Sequence, residues 1–417
     1  MSEISAKNLD EKAVRFAAET IIENALNLHA TDVHIEPRDG STLVRFRIHG
    51  ILKIANQLPA DTSPKLVKYF KKLADLNTRE KNFPQTGNIM HGGAKIRVSI
   101  SPVFSGEKIT LRLIRARTSL RKLDETGLWG ENLRLVRQAI LQPRGIIFTV
   151  GDGKNTTNFA ILNEINSPEK NIVTVEKKKK KTIPGVNQSE VNPKIGMDFL
   201  QTTKSALNQN PDIIMIDEVS DIETAKLLID AAMRGKLIIA SLPVPHASHV
   251  IPYLTNLNIS PFFLSAITLA IIGQNLIRTV SPAAISDHKL SKTESKVILN
   301  EFGISAEKLN KLEKLSKKEG LTKNKLKTTP ETLTEINVLK SKSDASYIGS
   351  IGIFEVLSFI DTENGDKFRK FTLTNPTNIE FANFIQKNDI VKVKVDGLIR
   401  VLAGQTVIEE VLRKTGL

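Results

Sequence analysis

The chain has 417 residues, 40% of them apolar and 25% charged. That is a globular composition with room for two to four domains at roughly 100–200 residues each, and it excludes disorder as the state of the whole chain. No cysteine is present, which excludes disulfides, thiol catalysis, Fe–S clusters and Cys-ligated zinc. Lys and Arg number 59 against 45 Asp and Glu, a net charge of +14, which admits nucleic acid, anionic lipid or nucleotide as a partner.

The polar start, Met1 to Asp10, has no signal-peptide pattern, and residues 1–9 read as a tail. A small α+β domain is expected over residues 10–115. Val14, Ala17, Ala18, Ile21, Ile22, Ala25 and Leu26 recur at helical spacing. Val33–Ile35, Leu43–Ile48 and Ile51–Ala55 read as strands, with Asp39-Gly40 and His49-Gly50 as hairpin turns. A helix is expected around Pro64–Leu76, then strands at Ile96–Val103 and Lys108–Ile114. Residues 116–130 are charged and weakly periodic, and read as a linker.

From residue 131 the period changes. Helices are expected at 131–142, 155–165, 197–208 and 221–233, alternating with apolar runs at Gly145–Val150, Asn171–Val175, Ile213–Ile216 and Leu237–Leu242. Apolar strands between helices predict a parallel sheet buried on both faces. The longest apolar run, Phe262 to Ile272, is far short of the ~20 residues that span a bilayer. Residues 281–345 are rich in Lys, Ser and Thr, and a final α+β piece follows from Tyr347.

Two places carry chemistry. The first apolar strand ends in Gly151-Asp152-Gly153-Lys154-Asn155-Thr156-Thr157 and enters a helix. Such a turn aims backbone N–H groups and a helix N-terminus at an anion, and a Lys there reaches phosphates. In the pattern G-x-x-x-x-G-K-[ST], Phe148 stands at the first Gly and Asn155 at the Mg²⁺-binding Ser/Thr. Alone, this is equally a β-α turn with a surface Lys. The second place is Pro211 to Glu218, an apolar strand ending in Asp217 and Glu218. Such a pair can hold Mg²⁺ and polarise a water, or simply start a helix.

At this point the chain resembles the secretion and pilus-assembly ATPases of type II secretion systems and type IV pili. The likeness rests on segments in the family's order: Ala30 to Pro37, Val44 to Gly50, Asn163 to Pro168, Asn171 to Glu176, Ile183 to Gln188, Ile351 to Leu357 and Val401 to Gly404. It implies an α/β fold: a RecA-like P-loop NTPase domain (131–280) after the small, PAS-like α+β domain, then an α-rich C-terminal region (346–417). It implies ATP and Mg²⁺ as cofactors, a homo- or hetero-hexamer and an inner-membrane platform protein as partner. The expected place is cytoplasmic, peripheral at the inner membrane through partners. No nucleic-acid partner is expected, since no reader motif accompanies the charge.

The resemblance assigns Gly151, Gly153, Lys154, Asn155 and Thr156 to nucleotide, Asn155 and Asp217 to Mg²⁺, and Glu218 and Glu176 to catalysis. Arg97 and Arg112, fifteen apart, match two arginines that reach the γ-phosphate; a structural salt bridge is the other reading. Departures are plain. Only Gly151-Asp152-Gly153 stands for the family loop G-P-T-G-S-G, three residues short. Asp152 puts an anion where phosphate belongs. The acidic box keeps Glu176 and is then replaced by Lys177 to Lys181, which form either a solvated loop or a set of cations that neutralise phosphates or reach Asp152. Pro243 stands where the family has a His. Ser281 and Ala284 fall where many members begin a four-Cys zinc element, so no zinc is expected and residues 281–345 should be loose. The expected function is a motor subunit with impaired or weak hydrolysis; the alternative is a non-catalytic structural or regulatory ring subunit beside an active paralogue.

Overall fold

The computed structural model describes residues 2–48, 51–115, 120–322, 324–340, 347–360, 363–388 and 390–416. The chain divides into two compact units, residues 1–118 and 119–417.

The first unit is built from α1 (Ser2–Asn27), β1 (Ala30–Arg38), β2 (Ser41–Ile48), β3 (Ile51–Pro59), α2 (Thr62–Leu73), β4 (Gln85–His91), β5 (Ala94–Val103) and β6 (Gly106–Arg115). Its strands form an antiparallel sheet in the order β3-β2-β1-β6-β5-β4. One face is apolar because alternate residues point to it: Ala94, Ile96, Val98 and Ile100 of β5 are buried in turn. Against that face lie Ile22 and Ala25 of α1 and Leu66 and Phe70 of α2. Gly40 closes the β1–β2 turn with φ +77°, where glycine carries no Cβ penalty. The expected turn at His49-Gly50 lies outside the described residues. The first helix begins at Ser2 rather than near residue 10, and β4, polar in sequence, is a strand that periodicity does not reveal.

The second unit runs α3 (Gly130–Ile140), β7 (Gly145–Gly151), α4 (Lys154–Ile165), β8 (Ile172–Glu176), β9 (Asn187–Glu190), α5 (Phe199–Leu207), β10 (Ile213–Ile216), α6 (Ile222–Met233), β11 (Leu237–Ser241), α7 (Val250–Asn256), α8 (Pro261–Ile267), β12 (Thr268–Val280), β13 (Ile285–Lys289), α9 (Lys292–Phe302), α10 (Ala306–Lys318), β14 (Glu335–Leu339), β15 (Tyr347–Ser358), α11 (Glu363–Thr372), α12 (Asn378–Lys387), α13 (Val393–Leu402) and α14 (Ile408–Thr415). Seven strands make one sheet in the order β15-β12-β7-β11-β10-β8-β9. Every neighbouring pair is parallel except the antiparallel β12–β15 pair. Every residue of β8, β10 and β11 is buried, as a sheet covered on both faces requires. This is the RecA-like architecture with a helical C-terminal region.

One sequence expectation needs correction, and one segment takes a form the sequence leaves open. The apolar run from Phe262 divides between α8 and the thirteen-residue β12, which carries β15 along its far edge. Residues 281–345 are not loose where described. β13 pairs with β14, α9 has a reciprocal Ser291–Glu294 capping box, and Phe302, Leu309, Leu333 and Ile336 join a buried cluster with α13. Buried Lys327 ties this subregion together through Asp287 and Asn337. Hydrophobic packing therefore holds this segment, which the sequence reading, expecting no zinc, leaves loose. The described end of the linker is also packed, with Leu123, Leu128 and Trp129 buried and Trp129 donating to Asp396 of α13.

Candidate nucleotide site

The carboxyl ends of β7, β11, β10 and β8 lie side by side in that order, and in open α/β sheets ligands bind outside such ends. β7 delivers Gly151 to Lys154, β11 Leu242, β10 Asp217 and Glu218, and β8 Glu176. The sheet thus brings together the candidates that the sequence scatters from 151 to 218.

The loop is folded onto the protein itself. Gly151 has φ +86° and Gly153 φ +83°. A Cβ on Gly151 would stand 2.0 Å from the Gln274 carbonyl oxygen of β12, and one on Gly153 would stand 2.8 Å from the Gln274 side chain. Both glycines therefore serve close approach to β12. The Gly151 N–H donates to Val244 O at 3.3 Å and the Asp152 N–H to Gln274 O at 3.2 Å. The Gln274 side chain completes the clamp, donating to Asp152 O at 2.6 Å and accepting from Thr157 Oγ1 at 2.6 Å. Lys154 Nζ donates to Leu242 O at 2.6 Å, and burial holds its ammonium below the ordinary lysine range, against the pull of Glu218 and Asp217. Thr156 lies on the exposed first turn of α4, its N–H donating to Gly153 O at 2.8 Å.

Asp152, Asp217 and Glu218 each meet a lysine side chain. Asp152 pairs with Lys414 of α14 at 2.8 Å, not with the lysine run. Asp217, buried, takes both oxygens to Lys180 Nζ at 2.7 and 2.8 Å. Turned so that both of its ends are satisfied, the Asn155 amide bridges the same pair: Nδ2 then donates to Asp217 Oδ1 and Oδ1 accepts from Lys180 Nζ, each at 2.7 Å. Lys177 Nζ stands 3.9 Å from Glu218. Glu176 is fully enclosed and accepts from Thr174 Oγ1 at 2.9 Å, Gln188 Nε2 at 2.8 Å and the Lys180 N–H at 3.4 Å. It faces the loop that follows it. Magnesium needs oxygen ligands at about 2.0–2.1 Å and several waters. With an ammonium already on Asn155 and Asp217, these residues do not fit it. Among the described residues no group of three or more His, Asp or Glu is placed to hold a metal.

Arg97 and Arg112 belong to the first unit, directly opposite each other on β5 and β6, hence on one face. Arg112 Nε donates to Asp32 at 2.9 Å. His246 and His249, beside α7, meet edge to face at 5.3 Å, and burial holds the His246 imidazole below its ordinary range. The sequence reading did not single out Gln274, the Leu242 carbonyl or Lys414. No local motif marks them, because each partner lies far along the chain.

The family described as Type II/IV secretion system protein matches residues 7–413. The type IV pilus assembly ATPase PilB of Thermus thermophilus is 30% identical over 419 residues, 99% of this chain and 44% of that protein. Type II secretion system protein E of Xanthomonas campestris pv. campestris is 29% identical over 402 residues, 95% of this chain and 66% of that protein. The chain thus spans under two thirds of each. Among solved structures, the Legionella pneumophila ATPase DotB superposes with TM-score 0.62 at 18% identity, over 94% of this chain and 93% of that one. No helix among the described residues is long and apolar enough to cross a membrane.

Proposed function

Since this chain belongs to the Type II/IV secretion system protein family, we propose that it is a subunit of the assembly motor of a type IV pilus or type II secretion system, with weak ATP binding and impaired hydrolysis. The names of its relatives, a pilus assembly ATPase and a secretion protein E, support the motor role. One observation supports the impairment. The groups a phosphate would need, Lys154 Nζ and the N–H groups of Gly151 and Asp152, already donate to the carbonyls of Leu242, Val244 and Gln274.

Binding is expected to be weak, not absent. Helix α4 starts at Lys154 with Gly153 as a cap that offers no side chain, so its N-terminal partial charge still favours an anion. The partners in this reading are other ring subunits, as a homo- or hetero-hexamer, and an inner-membrane platform protein that holds the ring at the cytoplasmic face. The lysine–carboxylate pairs also favour a second reading, a structural or regulatory subunit beside an active paralogue.

Calorimetric titration with ATP tests the site. A charge-assisted hydrogen bond is worth about 1.5–3 kcal/mol, so Lys154→Ala should weaken ATP at least about tenfold. Equal binding by that variant would place phosphate elsewhere. Turnover assays, alone and mixed with an active paralogue, test the rest. Brisk hydrolysis by the isolated chain would overturn the impairment.

A further inference from the structure

Five consecutive lysines are an unusual thing to find beside a nucleotide loop, and one of them, Lys180, has its ammonium held although its side chain is 37% exposed. Its backbone is fixed. Glu176 accepts from the Lys180 N–H and from Gln188 Nε2, Gln188 donates to Lys181 O at 2.8 Å and accepts from the Ile183 N–H at 2.8 Å, and the Lys179 N–H donates to Glu190 at 2.9 Å. From that frame the Lys180 ammonium reaches Asp217 Oδ1 and Oδ2 at 2.7 and 2.8 Å and, with the Asn155 amide turned to satisfy both of its ends, Asn155 Oδ1 at 2.7 Å. An ammonium has three donors, and all three have acceptors here.

Asn155 and Asp217 are the two positions where a P-loop site holds its divalent ion, the residue after the loop Lys and the acid at the end of β10, one strand beyond the neighbour of β7. The geometry points to Lys180 as a resident cation: a covalently tethered ammonium that takes the place of the divalent ion and excludes it. Charge balance supports this. Asp217 is buried, and a buried carboxylate needs a compensating cation; a chain that supplies its own needs none from solution. The inference rests on reading residues 151–155 as the family's nucleotide loop. It further implies that any nucleotide this chain binds is taken without metal.

The test uses manganese alone, with the full chain and no nucleotide, so that its result is independent of the ATP titration. Electron paramagnetic resonance should show no saturable Mn²⁺ site on the unaltered chain. Lys180→Met keeps the side-chain length and removes the charge. It should gain one Mn²⁺ site, at least tenfold tighter than anything on the unaltered chain, and Lys180→Met with Asp217→Asn should lose it. Equal Mn²⁺ binding by the unaltered chain and Lys180→Met would overturn the proposal, and so would no gain in Lys180→Met. Where Lys180→Met does not fold alone, refolding is the reading. Rescue by Mn²⁺ but not by Na⁺ at matched ionic strength supports a cation place; no rescue overturns it.

Discussion

Gly151 meets two demands that no other residue type meets together. Its φ of +86° lies in the left-handed region, which costs a residue with a Cβ about 1–2 kcal/mol. The Cβ itself would stand 2.0 Å from the Gln274 carbonyl oxygen, backbone that cannot swing aside. Gly151→Ala is therefore expected to destabilise the second unit by more than the backbone term alone, read as a lowered midpoint in thermal or urea unfolding. An alanine variant as stable as the unaltered chain would show that the loop can lift off β12. The residue pattern G-D-G-K already suggests a glycine turn at a helix start. That the turn is filled by Gln274 instead of held open was not legible, because the partner lies 122 residues away. The lysine run was ambiguous for the same reason: composition says solvated, while Lys180 finds Asp217 across 37 residues.

Among the elements, β7, β8, β10 and β11 could be read from sequence because strands buried on both faces are unbroken apolar runs. β12 could not, since a short apolar run does not distinguish a buried strand from a buried helix, and this one is first helix and then strand. α10 was hidden by its lysines, although Leu309, Leu312 and Leu315 keep helical spacing. β15 and α13 meet at a titrating group. Burial raises the Glu355 carboxyl from 4.5 to about 7, against Lys392 and the Val393 N–H, which both lower it. A carboxyl whose native pKa is raised binds its proton more tightly when folded. Its contribution to stability is fully present below about pH 4.5 and is lost as pH rises through about 7, up to about 3 kcal/mol in all. Melting temperature should fall across that window, and Glu355→Gln should flatten the fall; an equally steep profile in the variant would assign it to other groups.

Across the whole chain, the second unit depends on residues far past the apparent nucleotide domain. β15 pairs along β12 from Ser358 to Tyr347, Asp396 of α13 accepts from the Phe354 N–H at 2.7 Å, and Arg400 donates to the Gly127 carbonyl. A chain cut after residue 345 would leave one edge of β12 unpaired, a long flat edge of the kind that aggregates. It should elute as aggregates in size-exclusion chromatography; a monodisperse product would show that the sheet closes without β15. The tie between Asp152 and Lys414 spans 262 residues, and it puts this unit on a clock. At about 5–20 residues per second, ribosomal synthesis separates the two partners by roughly 13–50 s. During that interval the nascent loop has emerged without its lysine, so the Asp152–Lys414 pair closes only after Lys414 has been made.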